Sequence, residues 1–388
     1  MTASISRNLR RHNEATRIPQ GSVMKTFLVG GAVRDELLGR SIVERDWVVV
    51  GETPDSMLER GFRQVGKDFP VFLHPKTQEE YALARREYKQ APGHQGFRFD
   101  TDPDITLEED LTRRDLTINA IAKAPDGTLI DPCGGQKDLA AGLLRHVSEA
   151  FIEDPLRVLR LAQFQARLAD LGFRIHDDTT QLCRAMVKRG DLKTLSRERV
   201  FKEFEKALRA SQPSAFFGVL ESFNALALIF PGIQLAATKS LDEPSPDPSP
   251  EGRFSQLVLE NPTLNLQDLN AQVSIPKHWM DLSAMTRALA ETFCQVAELS
   301  AETILAALER GDARRKPARF EQSVLISSTT LVKNAAEQAQ ILSLWRRIVP
   351  ETAKVTLPET AAGLSGQDIK ALIRAGQLRR IKAVHGQS

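Results

Sequence analysis

An apolar run that ends in two glycines and continues as a short helix is the feature that most constrains the fold of this chain. Lys25–Val29 has the composition of a β-strand, Gly30 and Gly31 follow it, and Arg34–Leu38 has a helical pattern. Glycines at a strand-to-helix turn let a phosphate approach the backbone closely, near the unpaired N–H groups of the helix start. Arg34 adds a planar set of donors that suits phosphate oxygens. The segment therefore predicts an anion-binding turn between a strand and a helix.

Two spaced carboxylates follow this helix. Glu44 and Asp46 stand two positions apart at the start of the apolar run Trp47–Val50. If this run belongs to a strand, both side chains project from one face. Two carboxylates opposite a phosphate-binding turn form a magnesium site for nucleotide chemistry. Taken singly, a glycine pair is usually only a turn and acidic residues at a strand edge are usually solvated, but the order and close spacing of the two motifs favour a functional site.

Composition sets broad limits. A chain of 388 residues is long enough for two or three domains, and 41% hydrophobic with 26% charged residues is typical of a globular protein. No apolar run is long enough to span a bilayer, so we predict no membrane association. The net charge of +2 gives no general preference for nucleic acid, so any RNA contact must come from local basic patches. The three scattered cysteines predict no disulfide framework or zinc site and suit the reducing cytoplasm.

The first 23 residues differ from the rest. They contain four arginines, several Ser and Thr, and Glu14 as the one acid. This composition loosely resembles a transit peptide. A disordered extension, or a start assigned too early with Met24 as the true beginning, is the favoured interpretation.

The pattern changes from mixed to helical along the chain. Up to about residue 145, strands are predicted at Lys25–Val29, Asp46–Val50, Val71–His74 and Glu80–Ala84, a mobile loop at Arg86–Arg98 and a helix at Leu107–Ala122. Beyond Arg145, apolar residues recur every three and four positions and predict helices at Asp154–Leu171, Asp177–Lys188, Ser196–Arg209 and Pro213–Leu228. We therefore predict an α+β protein with a mixed-sheet head at 24–145 and helical regions at 146–235 and 253–388. A proline-rich linker at 236–252, with no regular element, is predicted to separate the two helical regions.

Two motifs downstream bear on the chemistry. The first is Arg113-Arg114-Asp115 within the predicted helix. Arg114 and Asp115 are placed to reach a triphosphate and a ribose hydroxyl, and Arg113 and Asn119 either do the same or pack. On its own this pattern is an ordinary surface ion-pair arrangement.

The second motif is Glu153-Asp154-Pro155 followed by two arginines at 157 and 160. Asp154 as N-cap and proline in the first turn explain the helix start without any function. Cytosine and adenine each present an amine donor beside a ring-nitrogen acceptor, whereas uracil and guanine present the reverse order. Asp154 with Arg157 therefore matches C and A, and a mismatched base would leave buried groups unpaired. Such a site selects the base without a nucleic-acid template.

Together these motifs resemble the bacterial CCA-adding tRNA nucleotidyltransferases, in the class shared with bacterial poly(A) polymerases. The resemblance extends from Met24 to about Ile233, is faint afterwards, and rests on Gly30-Gly31-x-x-Arg34-Asp35, Glu44-x-Asp46, Arg113-Arg114-Asp115 and Glu153-Asp154-x-x-Arg157. It implies a nucleotidyltransferase head followed by a helical neck, body and tail. It also implies tRNA as partner, CTP and ATP as substrates, and Mg²⁺ as cofactor.

The resemblance also implies roles for individual residues. Glu44 and Asp46 would hold Mg²⁺ and be catalytic. The nucleotide-binding residues implied are Gly31, Arg34, Arg114, Asp154, Arg157, Arg160 and Gln163. The basic runs at 309–319 and 374–382 would be solvated helix faces or, given the other motifs, contacts to RNA phosphates.

Three departures from the family pattern stand out. The first metal ligand is usually Asp and is Glu44 here, and Gln163 stands where an arginine usually recurs. The proline-rich stretch replaces a phosphohydrolase segment found in many relatives, so we predict no phosphatase or phosphodiesterase activity. A poly(A) polymerase, an enzyme that adds only part of the CCA end, and a catalytically decayed tRNA-binding homologue remain the alternatives.

Overall fold

The computed structural model describes residues 24–65, 71–89, 97–356 and 364–385. The first 23 residues, for which an extension was predicted, lie outside this range. The chain forms two compact units: one runs up to Ala140 and includes His146–Phe151, and the other comprises Ala141–Arg145 and the residues from Ile152 onward. The further division of the helical part into neck, body and tail stays a prediction.

A mixed seven-stranded sheet is the centre of the first unit. Its strand order is β3-β4-β5-β2-β1-β8-β9, and the β2–β5 pair is parallel whereas the other pairs are antiparallel. The strands are β1 Lys25–Val29, β2 Asp46–Val50, β3 Arg63–Val65, β4 Val71–Leu73, β5 Glu80–Leu83, β8 Ala122–Lys123 and β9 Leu129–Ile130. Strands β1 and β2 have the predicted bounds, and the predicted α+β class is confirmed.

Alternating side chains of the sheet build apolar clusters on both faces. Val29 and Val48 pack on one face with Leu111, while Val49 and Leu83 lie in a second cluster. This alternation is the period-2 pattern of strands that are covered on both sides. The helices of this unit are α1 Gly31–Leu37, α2 Pro54–Glu59, α3 Leu107–Thr112 and α4 Gly135–Ala140, with 3-10 turns at Thr117–Asn119 and Glu149–Glu153.

The predicted helix over 107–122 is wrong beyond Thr112. Helix α3 starts with a capping box formed by Thr106 and Glu109, as its sequence favours, but it ends at Thr112. The chain then turns extended at Leu116, which bridges to His146, and the Asp115 carbonyl accepts the N–H of Val147. Pairing with this distant segment therefore replaces the helix, and the Arg113-Arg114-Asp115 motif follows α3 instead of lying within it.

The predicted loop over 86–98 is also wrong at its ends. β6 Arg86–Lys89 and β7 Phe97–Asp100 form an antiparallel pair, with Arg86 opposite Asp100. Residues 90–96, the middle of the predicted loop, lie outside the described residues. The sequence favoured a loop because glycine, proline and charged residues occur in the middle of this segment, although Tyr and Phe residues, which favour strands, stand on both sides.

The second unit is almost entirely helical among the described residues. Its helices are α5 Leu156–Leu168, α6 Asp177–Arg189, α7 Arg197–Leu208, α8 Pro213–Ser222, α9 Leu226–Ile229, α10 Pro250–Glu260, α11 Leu266–Val273, α12 Lys277–Cys294, α13 Ala301–Arg310, α14 Pro317–Leu331, α15 Ala335–Ala353 and α16 Gly366–His385. Short 3-10 helices occur at Ala169–Leu171, Asp191–Thr194, Leu235–Asp242 and Val296–Glu298. A two-residue parallel pair, β10 Leu143–Leu144 with β11 Arg174–Ile175, is a strand element that the sequence did not suggest. The helix predicted at 213–228 is interrupted, because Asn224 adopts a positive φ of 59° between α8 and α9.

The stretch 236–252 is not the element-free linker that was predicted. The 3-10 helix Leu235–Asp242 buries Thr238 and Leu241, and α10 already begins at Pro250. Ser249 caps α10 by accepting the N–H of Gly252, and proline in the first helical turn needs no hydrogen bond from its nitrogen. Pro250 therefore marks a helix start, whereas the prolines at 244, 246 and 248 lie in the irregular segment 243–249 between the two helices.

Aromatic residues fill the interior of the second unit. The ring centroid of Phe204 of α7 lies 6.4, 6.1, 5.0 and 6.0 Å from the centroids of Phe216, Phe217, Phe230 and Phe254, respectively. This cluster joins α7, α8 and α10 and so fixes α7 against the helices around it. Within the described ranges, no helix combines the length and hydropathy that crossing a membrane requires.

Candidate active site

The glycine turn has a backbone conformation that only glycine adopts readily. Gly30 has φ 68° and ψ −129°, the mirror image of an extended residue. A Cβ at this position would lie 3.1 Å from Nη1 of Arg114. The structure therefore brings the Arg114 guanidinium onto the turn that the sequence predicted to bind an anion, and the following Gly31 opens helix α1.

Both predicted carboxylates lie beside this turn. Asp46 is the first residue of β2 and pairs in register with Val29, the residue before Gly30. Glu44 precedes the strand, contrary to the expectation that one strand carries both acids, and both residues are exposed to solvent. Glu80 stands opposite Asp46 in the parallel β2–β5 pair.

The three carboxylates repel one another. Partial burial raises the pKa of Asp46, the Arg114 guanidinium lowers it, and the Glu44 carboxylate raises it again. The pKa of Glu80 is raised by partial burial and by the charges of Asp46 and Glu44. Like charges held this close are stabilised by a cation between them.

These side chains have the chemistry that Mg²⁺ requires. Mg²⁺ takes oxygen ligands and is usually held by one or two carboxylates, with water and substrate phosphates completing the shell. Over the described residues, no group of three or more His, Cys, Asp or Glu side chains is arranged to hold a metal by itself. Glu44 and Asp46 therefore fit a site that substrate completes, with Glu80 at its edge.

Asp110 holds both arginines of the Arg113-Arg114-Asp115 motif. Its buried carboxylate accepts from Nη2 of Arg113 through one oxygen and from Nη2 of Arg114, at 3.1 Å, through the other. Burial raises the pKa of Asp110, but the two guanidinium groups outweigh this effect and hold the pKa below its usual range. Sequence reasoning missed Asp110, although its spacing of three and four residues from the arginines is that of helical ion pairs.

Arg34 is placed differently from the prediction that it contacts a nucleotide. Its side chain is only 2% exposed, and all three guanidinium nitrogens donate within the protein. Nε and Nη2 bind the Asp35 carboxylate at 3.0 and 2.9 Å, and Nη1 binds Oδ1 of Asn119 at 2.6 Å. The role of Arg34 toward a nucleotide stays a prediction, and Asn119, which the sequence left open, is its internal partner.

The second motif lies at the start of α5 in the second unit. Asp154 accepts the N–H of Leu156 at 3.1 Å, which is the capping contact expected of it, although α5 begins two residues after the start of the predicted range 154–171. Nη2 and Nη1 of Arg199 bind the two Asp154 oxygens at 2.7 and 3.2 Å. Arg199 belonged to a stretch that resembles the family, but no role was assigned to it.

The other predicted side chains follow along α5. Arg157 and Gln163 are buried, and Arg160 is partly exposed. The Arg160 guanidinium lies over the ring of Phe164, 5.6 Å from its centroid, and 3.9 Å from the buried carboxylate of Glu203. Helix α7 thus supplies Arg199 and Glu203, one turn apart, to two of the predicted nucleotide-binding residues.

Two stretches of the chain match known protein families. Residues 26–145 match the family model described as "Poly A polymerase head domain", and residues 172–236 match "Probable RNA and SrmB- binding site of polymerase A". The CCA-adding enzyme of Coxiella burnetii is 48% identical over 318 residues, which cover 80% of this chain and 84% of the relative. The multifunctional CCA protein of Nitrosococcus oceani is 43% identical over 93% of this chain and 99% of its own length.

Solved structures agree in fold. The CCA-adding enzyme of Bacillus stearothermophilus in complex with CTP superimposes with a TM-score of 0.68 at 24% identity and covers 93% of this chain and 89% of that one. The Thermotoga maritima CCA-adding enzyme complexed with tRNA gives a TM-score of 0.58 at 18% identity, covering 94% of this chain and 90% of that one. From the identity shared over nearly the full length of its relatives, the chain belongs to the bacterial CCA-adding enzymes of the class that also contains the poly(A) polymerases.

Proposed function

We propose that this protein adds C, C and A to the 3′ end of tRNA in the cytoplasm, using CTP and ATP, without a nucleic-acid template. The observation that supports this most is the pair Glu44 and Asp46 beside the Gly30 turn, with Arg114 at the same turn. A relative that shares 43% identity with this chain over 99% of its own length carries the corresponding name.

The reaction is a nucleotidyl transfer. The tRNA 3′ hydroxyl loses its proton as its oxygen bonds to the α-phosphorus of the nucleotide, the bond from the α-phosphorus to the oxygen bridging it to the β-phosphate breaks, and pyrophosphate leaves with that electron pair. Glu44 and Asp46 would hold Mg²⁺, which when bound supplies Lewis-acid stabilisation of the attacking and leaving oxygens. Gly31 offers its backbone N–H to the triphosphate, and Arg114 neutralises part of the triphosphate charge.

Base selection is proposed for the start of α5. The Asp154 carboxylate accepts from the amine of cytosine or adenine, and Arg157 donates to the adjacent ring nitrogen. The Arg199 guanidinium donates to both oxygens of Asp154 and so fixes the orientation of the Asp154 carboxylate. Arg160 and Gln163 continue the same side of α5 and are proposed to line the nucleotide pocket.

The helical body and tail, 253–388, are proposed to bind tRNA. A cavity of about 380 Å³ between α13 and α16 is lined in part by the cationic residues Arg314, Lys370 and Arg374. The ion pair of Arg374 with Glu309 neutralises part of their positive charge. Arg314 and Lys370 are exposed. Cations at such positions would contact RNA phosphates, and tRNA binding should weaken as salt rises.

A gel assay of product length tests the function. A tRNA that lacks its CCA end is incubated with the protein and with CTP alone, ATP alone, or both. The proposal predicts two added residues with CTP and three with both nucleotides. A long ladder with ATP alone would instead indicate a poly(A) polymerase, and a product that stops after one or two additions with both nucleotides would indicate a partial enzyme. tRNA binding without any addition would indicate a decayed homologue.

A further inference from the structure

An arginine stands between the two carboxylates that fit a metal site. Arg45 separates Glu44 from Asp46 in the sequence. A guanidinium forms its strongest ion pairs with carboxylates, often through two parallel hydrogen bonds. An arginine bound to either acid would occupy carboxylate oxygens and neutralise charge that Mg²⁺ needs. The position of the Arg45 side chain therefore bears directly on metal binding.

Arg45 is paired with a different acid. Its Nη1 lies 3.9 Å from Oε1 of Glu79, and among the described residues this is the one ion pair of Arg45. Over the same ranges, the side chains of Glu44 and Asp46 form no hydrogen bond or ion pair. The cation that lowers the pKa of Asp46 is Arg114. Both acids thus stay open although a cation stands between them in the sequence.

The alternation of side chains along β2 and β5 explains this separation. Asp46 pairs in register with Glu80, and the next pair along the two strands is Trp47 with Tyr81. Because successive residues of a strand point to opposite faces, the Trp47 and Tyr81 rings lie on the face away from the acids. These rings stack with their centroids 5.6 Å apart and an angle of 10° between their planes. The sheet therefore has an acidic face and an aromatic face at the same strand ends.

Glu79 is fixed on the aromatic face by hydrogen bonds. Its Oε2 accepts the indole N–H of Trp47 at 3.1 Å and the hydroxyl of Thr77 at 3.3 Å. The Glu79 side chain is 27% exposed, whereas that of Arg45 is 49% exposed. The carboxylate is thus the more buried and more firmly bonded member of the ion pair, and its other oxygen, Oε1, determines where the Arg45 guanidinium lies.

We propose that Glu79 is a positioning residue that holds Arg45 on the aromatic face of the sheet and so leaves Glu44 and Asp46 available to Mg²⁺. This inference rests on the proposed function, in which those two carboxylates hold Mg²⁺. Glu79 acts through Arg45 and is itself no ligand of the metal. When Glu79 is neutral, the acids on either side of Arg45 become partners of its guanidinium, which then competes with Mg²⁺.

The test measures how much divalent metal each variant needs. Mn²⁺ is titrated into the full-length protein with CTP and without tRNA, and protein-bound Mn²⁺ is followed by its enhancement of water proton relaxation. The Mg²⁺ concentration that gives half-maximal cytidine addition to a tRNA lacking its CCA end is measured in parallel. We expect Glu79→Gln to raise the midpoints of both titrations about three- to fivefold, which is the effect of one partly exposed ion pair.

A second substitution distinguishes competition by Arg45 from a general loss of negative charge. The double variant Arg45→Gln/Glu79→Gln also lacks the competing cation, so both midpoints should return to within about twofold of the wild-type values. Arg45→Gln alone should lie in the same range, because Arg45 is already held away from the acids in the wild type. If the two charges acted independently, Arg45→Gln would lower the midpoints by the factor by which Glu79→Gln raises them.

A matched control is available in the same unit. Glu36 of α1 is also a partly exposed acid in an ion pair, with Lys123 of β8. Glu36→Gln removes the same charge as Glu79→Gln and should leave both midpoints at the wild-type values. Melting temperatures of all variants show whether a change in metal requirement accompanies a change in stability.

Three results would overturn the inference. The midpoints could stay at the wild-type values in Glu79→Gln, the double variant could keep the raised midpoints of Glu79→Gln, or the two single substitutions could shift the midpoints by equal and opposite factors. Failure of the proposed function is recognised separately. In that case the wild-type protein would add no cytidine, and Glu44→Gln would bind Mn²⁺ as the wild type does.

Discussion

Replacing Gly30 by alanine tests whether the position of the Arg114 guanidinium depends on the backbone conformation of the Gly30 turn. At φ 68° and ψ −129° a residue with a Cβ is strained by about 1–3 kcal/mol. The new methyl carbon would also lie 3.1 Å from Nη1 of Arg114, so the guanidinium must move by a few tenths of an ångström. We therefore expect Gly30→Ala to destabilise the protein by roughly 2 kcal/mol and to raise KM for CTP.

Two other glycines provide controls for this experiment. Gly39 also has a positive φ, of 67°, but a Cβ there meets nothing within 4 Å. Gly39→Ala should therefore lower the free energy of unfolding by about 1 kcal/mol through backbone strain alone. Gly31 has no positive φ, and a Cβ would lie 3.5 Å from Nη2 of Arg34, an ordinary contact, so Gly31→Ala should change stability least. Stability is measured by urea titration and KM by CTP incorporation. If Gly30→Ala and Gly39→Ala behaved alike in both assays, Arg114 would not depend on the turn.

Three further predictions concern groups away from the turn itself. Asp110→Asn removes the buried counter-charge of Arg113 and Arg114, which are themselves only partly buried, and should cost about 1–3 kcal/mol. Because the folded-state pKa of Asp110 is lowered, this contribution is complete above about pH 4 and is lost on acidification through that folded-state pKa, so the variant should show a flatter acid limb in urea titrations at several pH values. Arg199→Met removes the ion pair that orients the Asp154 carboxylate; since both side chains are partly exposed, it should reduce discrimination between CTP and UTP by about five- to tenfold, and Arg199→Lys should restore part of this discrimination. Unchanged discrimination in Arg199→Met would contradict the positioning role of Arg199. Burial raises the pKa of the Cys183 thiol to about 12, so at pH 8 maleimide should label Cys183 only after denaturation, as read by mass spectrometry, and rapid labelling of the native protein would refute that burial.

Local sequence patterns were enough to predict the elements that carry their own signals. The bounds of β1 and β2 follow from apolar composition, and α7 and α6 from apolar residues at helical spacing, to within one residue. The motifs around Gly30, Asp46 and Asp154 were found because each is contiguous in the chain. These features depend on neighbours in sequence, which one chain reveals.

Features that depend on distant partners were not predictable in this way. The end of α3 at Thr112 depends on pairing of Leu116 with His146, and the strand pair at 86–100 depends on contacts across a loop. The burial of Arg34 follows from Asn119, which is 85 positions away. A sequence pattern shows that an arginine follows a glycine turn but not which groups already occupy its donors.

The most direct test of the account compares the wild-type protein with Glu44→Gln and Asp46→Asn in single-turnover addition of CTP to a tRNA that lacks its CCA end. Both substitutions keep the shape of the side chain and remove one negative charge from the site beside the glycine turn. We expect wild type to add two cytidines, and both variants to bind the tRNA as wild type does but to lose addition over the whole range of Mg²⁺ concentrations tested. Addition by either variant at the wild-type rate would contradict the assignment of these two carboxylates as the centre of the reaction.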